Sequence, residues 1–306
     1  MTLPQSRLDR RDGEKGFIMP ENKIQKITVP LLQEKKKRGE KIVALTSYDF
    51  PVAKIVDETG IDIILVGDSL GMVVLGYENT IPVNMDDMIH HAKAVVRATK
   101  RALVIGDMPY MSFHLSTEKA ILNASRFLKE AGAEAVKIEG ATEKRLKIVE
   151  ALREAEIPVM GHIGLTPQSI YNIGRFKVKG KETDEAKKIL KDALNLEKAG
   201  VFSLILESIP MELARIITEE LNIPTIGIGA GPYCDGQILV FHDLVGFSNG
   251  YFPKYVKKYA DLYEIITRAI KSYIEDVKEG NFPDDDHSYH IKENKVLEKL
   301  IKRKIK

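Results

Sequence analysis

Short apolar runs recur along the chain, and most are followed by stretches with the three-to-four-residue apolar spacing of a helix. "IVALTSYD" (42–49) precedes "PVAKIVDETG", and "DIILVGD" (62–68) is the second run. "ALVIGDMP" (102–109), "EAVKIEG" (134–140), "IPVMGHIG" (157–164), "VFSLILES" (201–208), "IPTIGIGAG" (223–231) and "QILVFHD" (237–243) complete a set of eight. Runs that are apolar throughout, rather than alternating, predict strands covered on both faces. That means a parallel sheet with helical crossovers. In "STEKAILNASRFLKEAG", Ser116 or Thr117 can cap the free N–H groups at the helix start and Gly132 can close its end. Eight such units over about 250 residues predict a (β/α)8 TIM barrel, with a doubly wound open sheet as the alternative. The connection between the seventh and eighth runs has little room for a helix, and no shift in composition marks a second domain.

Polar residues gather at the C-terminal ends of six of these runs. Asp49, Asp68 with Ser69, Asp107, Lys137 with Glu139, His162 and Glu207 all stand at the C-terminal ends of predicted strands. In a barrel those ends converge on the face that carries active sites. A lone strand-end Asp is more often a helix cap or turn former, and a lone His more often a hydrogen-bonded core residue. Successive strands 2, 3 and 4, each ending in an acid, are not expected from independent caps. Lys137 and Glu139, two apart on one strand, point to the same side. Several carboxylates in one apolar cup repel one another, and a divalent cation relieves that conflict. Oxygen ligands without a Cys/His cluster suit Mg²⁺ better than Zn²⁺.

Composition narrows the reading. The 306 residues are 44% hydrophobic and 29% charged, enough for a large core under a solvated surface. A net charge of +2 gives no overall bias towards nucleic acid or anionic membrane. Tyr and Phe are scattered and form no stacking platform for bases. No run approaches a membrane span. Cys234 is the only cysteine, so no intramolecular disulfide forms and a cytoplasmic setting fits. No base lies near it in sequence to make it a nucleophile. "GIGAG" (227–231) is not a dinucleotide fingerprint, and tight packing explains it as well as ligand approach does. Residues 1–22 read as a flexible extension in which Met19 could be the native start. Residues 23–290 read as the barrel and 291–306 as a basic tail.

Seven ordered motifs carry a resemblance: "VGDSLGMVVLGYENTIPVNMDDMIHHAKAV", "GDMPYMSFH", "AGAEAVKIEG", "GHIGLTPQS", "FKVKGK", "LESIP" and "IGIGAGPYCDGQILVFHDLVG". With "HSYH" near residue 290, they resemble the 3-methyl-2-oxobutanoate (ketopantoate) hydroxymethyltransferase family from about residue 24 to 290. The resemblance implies a (β/α)8 barrel that moves a hydroxymethyl group from 5,10-methylenetetrahydrofolate to 3-methyl-2-oxobutanoate, giving 2-dehydropantoate for pantothenate synthesis. It implies Mg²⁺ and a homo-oligomer, commonly a decamer. Carried over residue by residue, the metal carboxylates fall on Asp68 and Asp107, joined by Glu139. Keto-acid contacts fall on Asp68, Ser69, Asp107 and Lys137, and the general base on Glu207. His162 either orients an oxygen of the substrate or water, or is structural. The chain departs from the family pattern at Met111, His114 and Arg175, where Gly, Gln and Gly are usual. These positions lie in loops near the barrel mouth.

The expected chemistry follows from an α-keto acid's two adjacent oxygens. Both can chelate Mg²⁺ held by Asp68 and Asp107, which favours the enolate formed when the C3 proton leaves. Lys137 adds fixed positive charge beside that oxygen, Ser69 holds the carboxylate, and Glu207 takes the proton. Two other readings remain. A phosphoenolpyruvate mutase or isocitrate-lyase-type enzyme also sets Mg²⁺-binding acids on a barrel, although the "KKCGH"-like loop of the lyases is missing. A non-catalytic keto-acid-binding barrel needs no base, so Glu207 speaks against it.

Overall fold

In the computed structural model, the described residues are 25–291 except 176, 249 and 251, together with 295, 297, 298 and 301. The expected extension, with Met19, lies outside them, as does most of the expected basic tail.

Eight parallel strands close into a barrel in chain order: β1 (Ile42–Thr46), β2 (Ile63–Val66), β3 (Leu103–Asp107), β4 (Ala135–Glu139), β5 (Val159–Gly164), β6 (Ser203–Glu207), β7 (Thr225–Ile228) and β8 (Gly236–Leu239). All eight apolar runs are strands, so the TIM-barrel expectation holds and the open sheet does not. The main helices are α1 (Val29–Lys37), α2 (Phe50–Glu58), α3 (Met85–Ala98), α4 (Thr117–Arg126), α5 (Glu143–Glu154), α6 (Thr183–Ala199), α7 (Met211–Glu220) and α8 (Leu262–Glu279). As the short seventh-to-eighth connection predicts, no helix separates β7 from β8.

The unbroken apolar character of the strands is divided between two cores. On β2, Ile64 and Val66 join the outer core under the helices, while Ile63 and Leu65 fill the barrel interior. On β3, Leu103 and Ile105 point inward. The two-residue period continues that inward face to Asp107. On β4 it runs from Ala135 to Lys137 and Glu139, and on β6 from Ile205 to Glu207. On β3, β4 and β6 an apolar inward residue is therefore followed by polar residues at the tip.

Local signals work as the sequence suggests. The Ser116 hydroxyl accepts from the Lys119 N–H, and Gly132 ends the helix at φ 78°. The last turn, Phe127–Ala131, widens to a π-helix, which the sequence pattern does not show. It seats the Phe127 ring against Gly106, where an added Cβ would lie 2.1 Å from the ring. In the "GIGAG" loop, Gly231 abuts Met211 and Gly229 abuts Tyr255. Tight packing is the role these glycines show.

The base of the barrel is plugged by α1. Ile27 and Leu32 extend the interior core, and lysines tie the plug down. Lys35 Nζ lies 2.7 Å from Asp62, Lys36 Nζ 2.8 Å from Asp235, and Lys26 Nζ 2.6 Å from Glu134. Cys234 is buried near this end, and its carbonyl accepts from Lys41.

Candidate active site

At the opposite end, strand register sets side chains next to one another. Asp107 pairs with Lys137 across β3 and β4, Glu139 with His162 across β4 and β5, and Gly164 with Glu207 across β5 and β6. Neighbours in parallel register present side chains to the same face, so five of the expected site residues meet inside the barrel rim. Lys137 Nζ lies 2.8 Å from Asp107 Oδ1 and 3.6 Å from Glu139 Oε1. His162 bridges two acids, with Nδ1 3.4 Å from Glu139 and Nε2 3.2 Å from Glu207. Asp68 follows β2 and joins the group through its backbone N–H, which donates to Asp107 Oδ2 at 3.1 Å.

Burial makes this cluster electrostatically tense. Asp68, Asp107, Lys137, Glu139 and His162 are each at most 5% exposed. With all four carboxyls ionised, the Lys137 and His162 cations leave two negative charges uncompensated among these side chains. Burial, then the Asp107 and Glu139 charges, push the Asp68 carboxyl well above the usual range. Asp107 is also raised, because burial and Glu139 outweigh the neighbouring Lys137 ammonium. Glu139 is lowered: burial opposes this, but Lys137 and His162 prevail. Burial and the Lys137 charge oppose protonation of His162, yet its contacts with Glu139 and Glu207 lift it to about 9. The imidazolium puts positive charge within ion-pair range of both acids, although Nε2 makes no aligned hydrogen bond and Nδ1 also lies 3.4 Å from Lys137 Nζ. Burial likewise opposes the Lys137 charge, and the three surrounding acids hold it above its ordinary value.

Among the described residues, no group of three or more His, Cys, Asp or Glu side chains forms a ready metal cage. A hard cation still fits the donor set. Mg²⁺ commonly takes one or two carboxylates and keeps several waters. Asp107 Oδ1 is buried and, although in ion-pair range of Lys137, receives no aligned hydrogen bond. Asp68, which has no ion-pair partner among the described residues, and Asp107, which has Lys137, are the two acids that the site holds above the usual carboxylate range. Glu139 is turned towards Lys137, His162 and the Gln168 N–H. The Glu207 side chain is 13% exposed, against 4% for Glu139 and 2% for Asp107, and is the most open of these three acids.

Two residues without a role in the sequence reading belong to the site. Gln168, on the one-turn helix Pro167–Ser169 after β5, donates to Asp68 Oδ2 at 2.9 Å and to the Met108 carbonyl at 3.0 Å. Tyr48 OH lies 2.8 Å from the Ser69 hydroxyl, and the Tyr48 carbonyl accepts from His91 Nδ1 at 2.7 Å. Neither carries a strand-end charge, although Gln168 lies within the motif "GHIGLTPQS". Asp49, grouped with the site acids in the sequence, is instead the N-cap of α2 and accepts from the Val52 N–H. At the departing loop positions, Met111 adopts φ 66°, a left-handed conformation that glycine reaches at lower cost. His114 packs on Tyr110 and Phe113, and burial with the Arg145 charge pushes its pKa down to about 4. Arg175 is exposed.

Comparison with known proteins adds a family. The sequence profile of ketopantoate hydroxymethyltransferase matches residues 26–285. The 3-methyl-2-oxobutanoate hydroxymethyltransferase of Syntrophomonas wolfei is 56% identical over 275 residues, covering 90% of this chain and 99% of that protein. The enzyme of that name from Thermoanaerobacter sp. (strain X514) is 58% identical over 273 residues, with 89% and 99% covered. Similar solved structures include a phosphonopyruvate hydrolase, with TM-score 0.55, 12% identity, and 91% and 98% of the two chains covered. A 2,3-dimethylmalate lyase of the PEP mutase/isocitrate lyase superfamily has TM-score 0.54 and 15% identity, with 86% and 92% covered. At such identities the likeness is one of fold.

Proposed function

The chain belongs to the ketopantoate hydroxymethyltransferase family, and from that premise we propose that it transfers a hydroxymethyl group to 3-methyl-2-oxobutanoate, giving 2-dehydropantoate. The one-carbon donor is 5,10-methylenetetrahydrofolate, water supplies the hydroxyl oxygen, and the product feeds pantothenate synthesis in the cytoplasm. The observation that carries this reading is the buried, under-compensated acid cluster at the barrel rim, with one more open carboxylate at its edge.

Asp68 and Asp107 hold Mg²⁺, with Glu139 beside them. Bound there, the ion supplies Lewis-acid polarisation of the keto acid's adjacent oxygens. Ser69, steadied by Tyr48, binds the substrate carboxylate. Glu207 removes the C3 proton, and its position at the edge of the cluster supports that role. Lys137 is held charged by the acids around it and provides a fixed positive group for the oxygen that gains charge. His162 spans Glu139 and Glu207 and holds both carboxylates in place, a positioning role distinct from the expected contact with an oxygen of the substrate or water. The C3 carbon then attacks the donor's one-carbon unit.

A homo-oligomer completes the proposal. Tyr263, Ile266, Ile270, Tyr273 and Val277 of α8 follow a 3-4-3-4 spacing, each 38–57% exposed, and no residue of this helix is buried. In proteins most helical stability comes from packing an amphipathic face against other structure. That bare face supports packing against a second copy of the chain.

The test is turnover of 3-methyl-2-oxobutanoate by the purified protein. Product should need both Mg²⁺ and methylenetetrahydrofolate. Phosphoenolpyruvate rearrangement in place of this reaction would return the mutase-type reading. Keto-acid binding with no turnover under any condition would favour the binding-only barrel.

A further inference from the structure

The residue that ties the acid cluster together carries no charge. Gln168 is 6% exposed, and its polar groups reach three strands. Its Nε2 donates to Asp68, beyond β2, and to the carbonyl of Met108, the residue after β3. Its backbone N–H donates to Glu139 Oε2 on β4 at 3.2 Å. Both amide hydrogens are used, so the side chain has one workable orientation. Reversing the amide would set its oxygen against the Met108 carbonyl, which cannot donate, and against Asp68, which cannot donate in the ionised form that holds a cation. Oε1 is left buried without a partner. Orphaning a buried acceptor is unfavourable, so the contacts made by Nε2 must outweigh it.

The backbone is shaped to deliver this residue. β5 ends at Gly164 with φ 98°, and a Cβ there would lie 2.2 Å from the Glu207 carbonyl oxygen. Only glycine lets the chain pass so close to the tip of β6. The Leu165 N–H then donates to that same carbonyl at 2.9 Å, and Pro167 opens the turn that carries Gln168 over the rim. The turn is thus pinned on the β6 side and reaches back to β2, β3 and β4.

We infer that Gln168 is a positioning residue for the cation site: it fixes the Asp68 carboxylate in its binding orientation and links the β5 loop to it. This rests on the proposed placement of the cation at Asp68 and Asp107. Partners that orient ligating groups typically change metal affinity about 10–100-fold when removed.

The test uses metal-free full-length protein and Mn²⁺ as the probe, with affinity read by calorimetry or by the spin-resonance signal of free Mn²⁺. Gln168→Met keeps the length of the side chain and removes both donors. It should bind Mn²⁺ about 10–100-fold more weakly than wild type, with KM for the keto acid rising more than kcat falls. Its melting temperature and far-UV spectrum should stay close to wild type. Gln168→Asn retains the amide one methylene short of Asp68 and should show the same loss, which keeps the test in force if the Met variant does not fold. Asp68→Asn is the control. Wild-type Mn²⁺ affinity in the Gln168 variants, with binding lost in Asp68→Asn, would overturn the positioning role alone. Wild-type affinity in Asp68→Asn would overturn the cation site, and this inference with it.

Discussion

The two ends of the barrel hold similar residues in opposite balance. At the base, acids meet cations nearly one for one: Asp62 has Lys35 and Arg101, Asp235 has Lys36, and Glu134 has Lys26. Asp62 also accepts from the Val43 N–H, and Asp235 from the Thr225 N–H. At the rim, Asp68, Asp107, Glu139 and Glu207 share one lysine and one histidine. Pairing at the base closes the barrel and fastens α1. The surplus at the rim is a standing electrostatic cost, and a fold keeps such a cost where a ligand relieves it. On the proposed function, similar residues serve stability at one end and binding at the other, and what separates the ends is the balance of acids and cations.

The sharpest break in this comparison comes from one substitution at each end. Asp62→Ala should lower unfolding free energy by about 1–3 kcal/mol, since it strands the half-buried Lys35 and a backbone N–H. Denaturant titration measures this, and the protein that remains folded should keep wild-type KM. Lys137→Met should instead lower kcat about 10²–10³-fold, measured in the transferase assay, while Mg²⁺ binding persists. A rim variant that loses stability but not turnover would erase the distinction between the ends.

The pH dependence of stability tests the surplus itself. Asp68 has a raised folded pKa, so the folded state binds more protons than the unfolded state above the ordinary carboxylate range. Stability of the metal-free protein should therefore fall as pH rises from that range towards the Asp68 value. His162 acts in the same sense at higher pH. Its stabilising charge is fully present below about 6.5, the unfolded value, and is lost as pH rises through about 9. Asp107, also raised, contributes to the same limb, so Asp68→Asn should make the acid limb shallower and leave the His162 limb in place, and saturating Mg²⁺ should weaken the acid limb in wild type. Melting temperature against pH reads both.

The smallest effect concerns stored strain. Ser208, directly after Glu207, sits at φ 50°. Ser208→Gly should stabilise the chain by about 1 kcal/mol or less, the left-handed cost being partly offset by glycine's greater unfolded freedom. Thermal unfolding is the measure, and a loss of stability would show that the serine side chain holds the rim in place.

Much of this architecture was written in the spacing of residues. Continuous apolar strands announced a sheet covered on both faces, and the two-residue period set Lys137 and Glu139 on one side. Register was not legible, because nothing in a single strand says that Glu139 stands beside His162. Asp49 shows the limit of counting strand-end acids: the same residue type caps a helix when the first turn follows at once. Gln168 and Tyr48 were silent because each acts through a neighbour, and a neutral donor four residues past a strand has no distinctive pattern. The π-turn at Phe127 was silent as well, since it depends on Gly106 in another strand.

Deuterium exchange at C3 of 3-methyl-2-oxobutanoate, followed by proton NMR in D₂O, bears most directly on the rim as a site of proton abstraction. Wild-type protein should exchange this hydrogen in the presence of Mg²⁺ without any added folate, and Glu207→Gln should lose exchange and product formation together. Exchange at the wild-type rate in Glu207→Gln would contradict the assignment of the open rim carboxylate as the base.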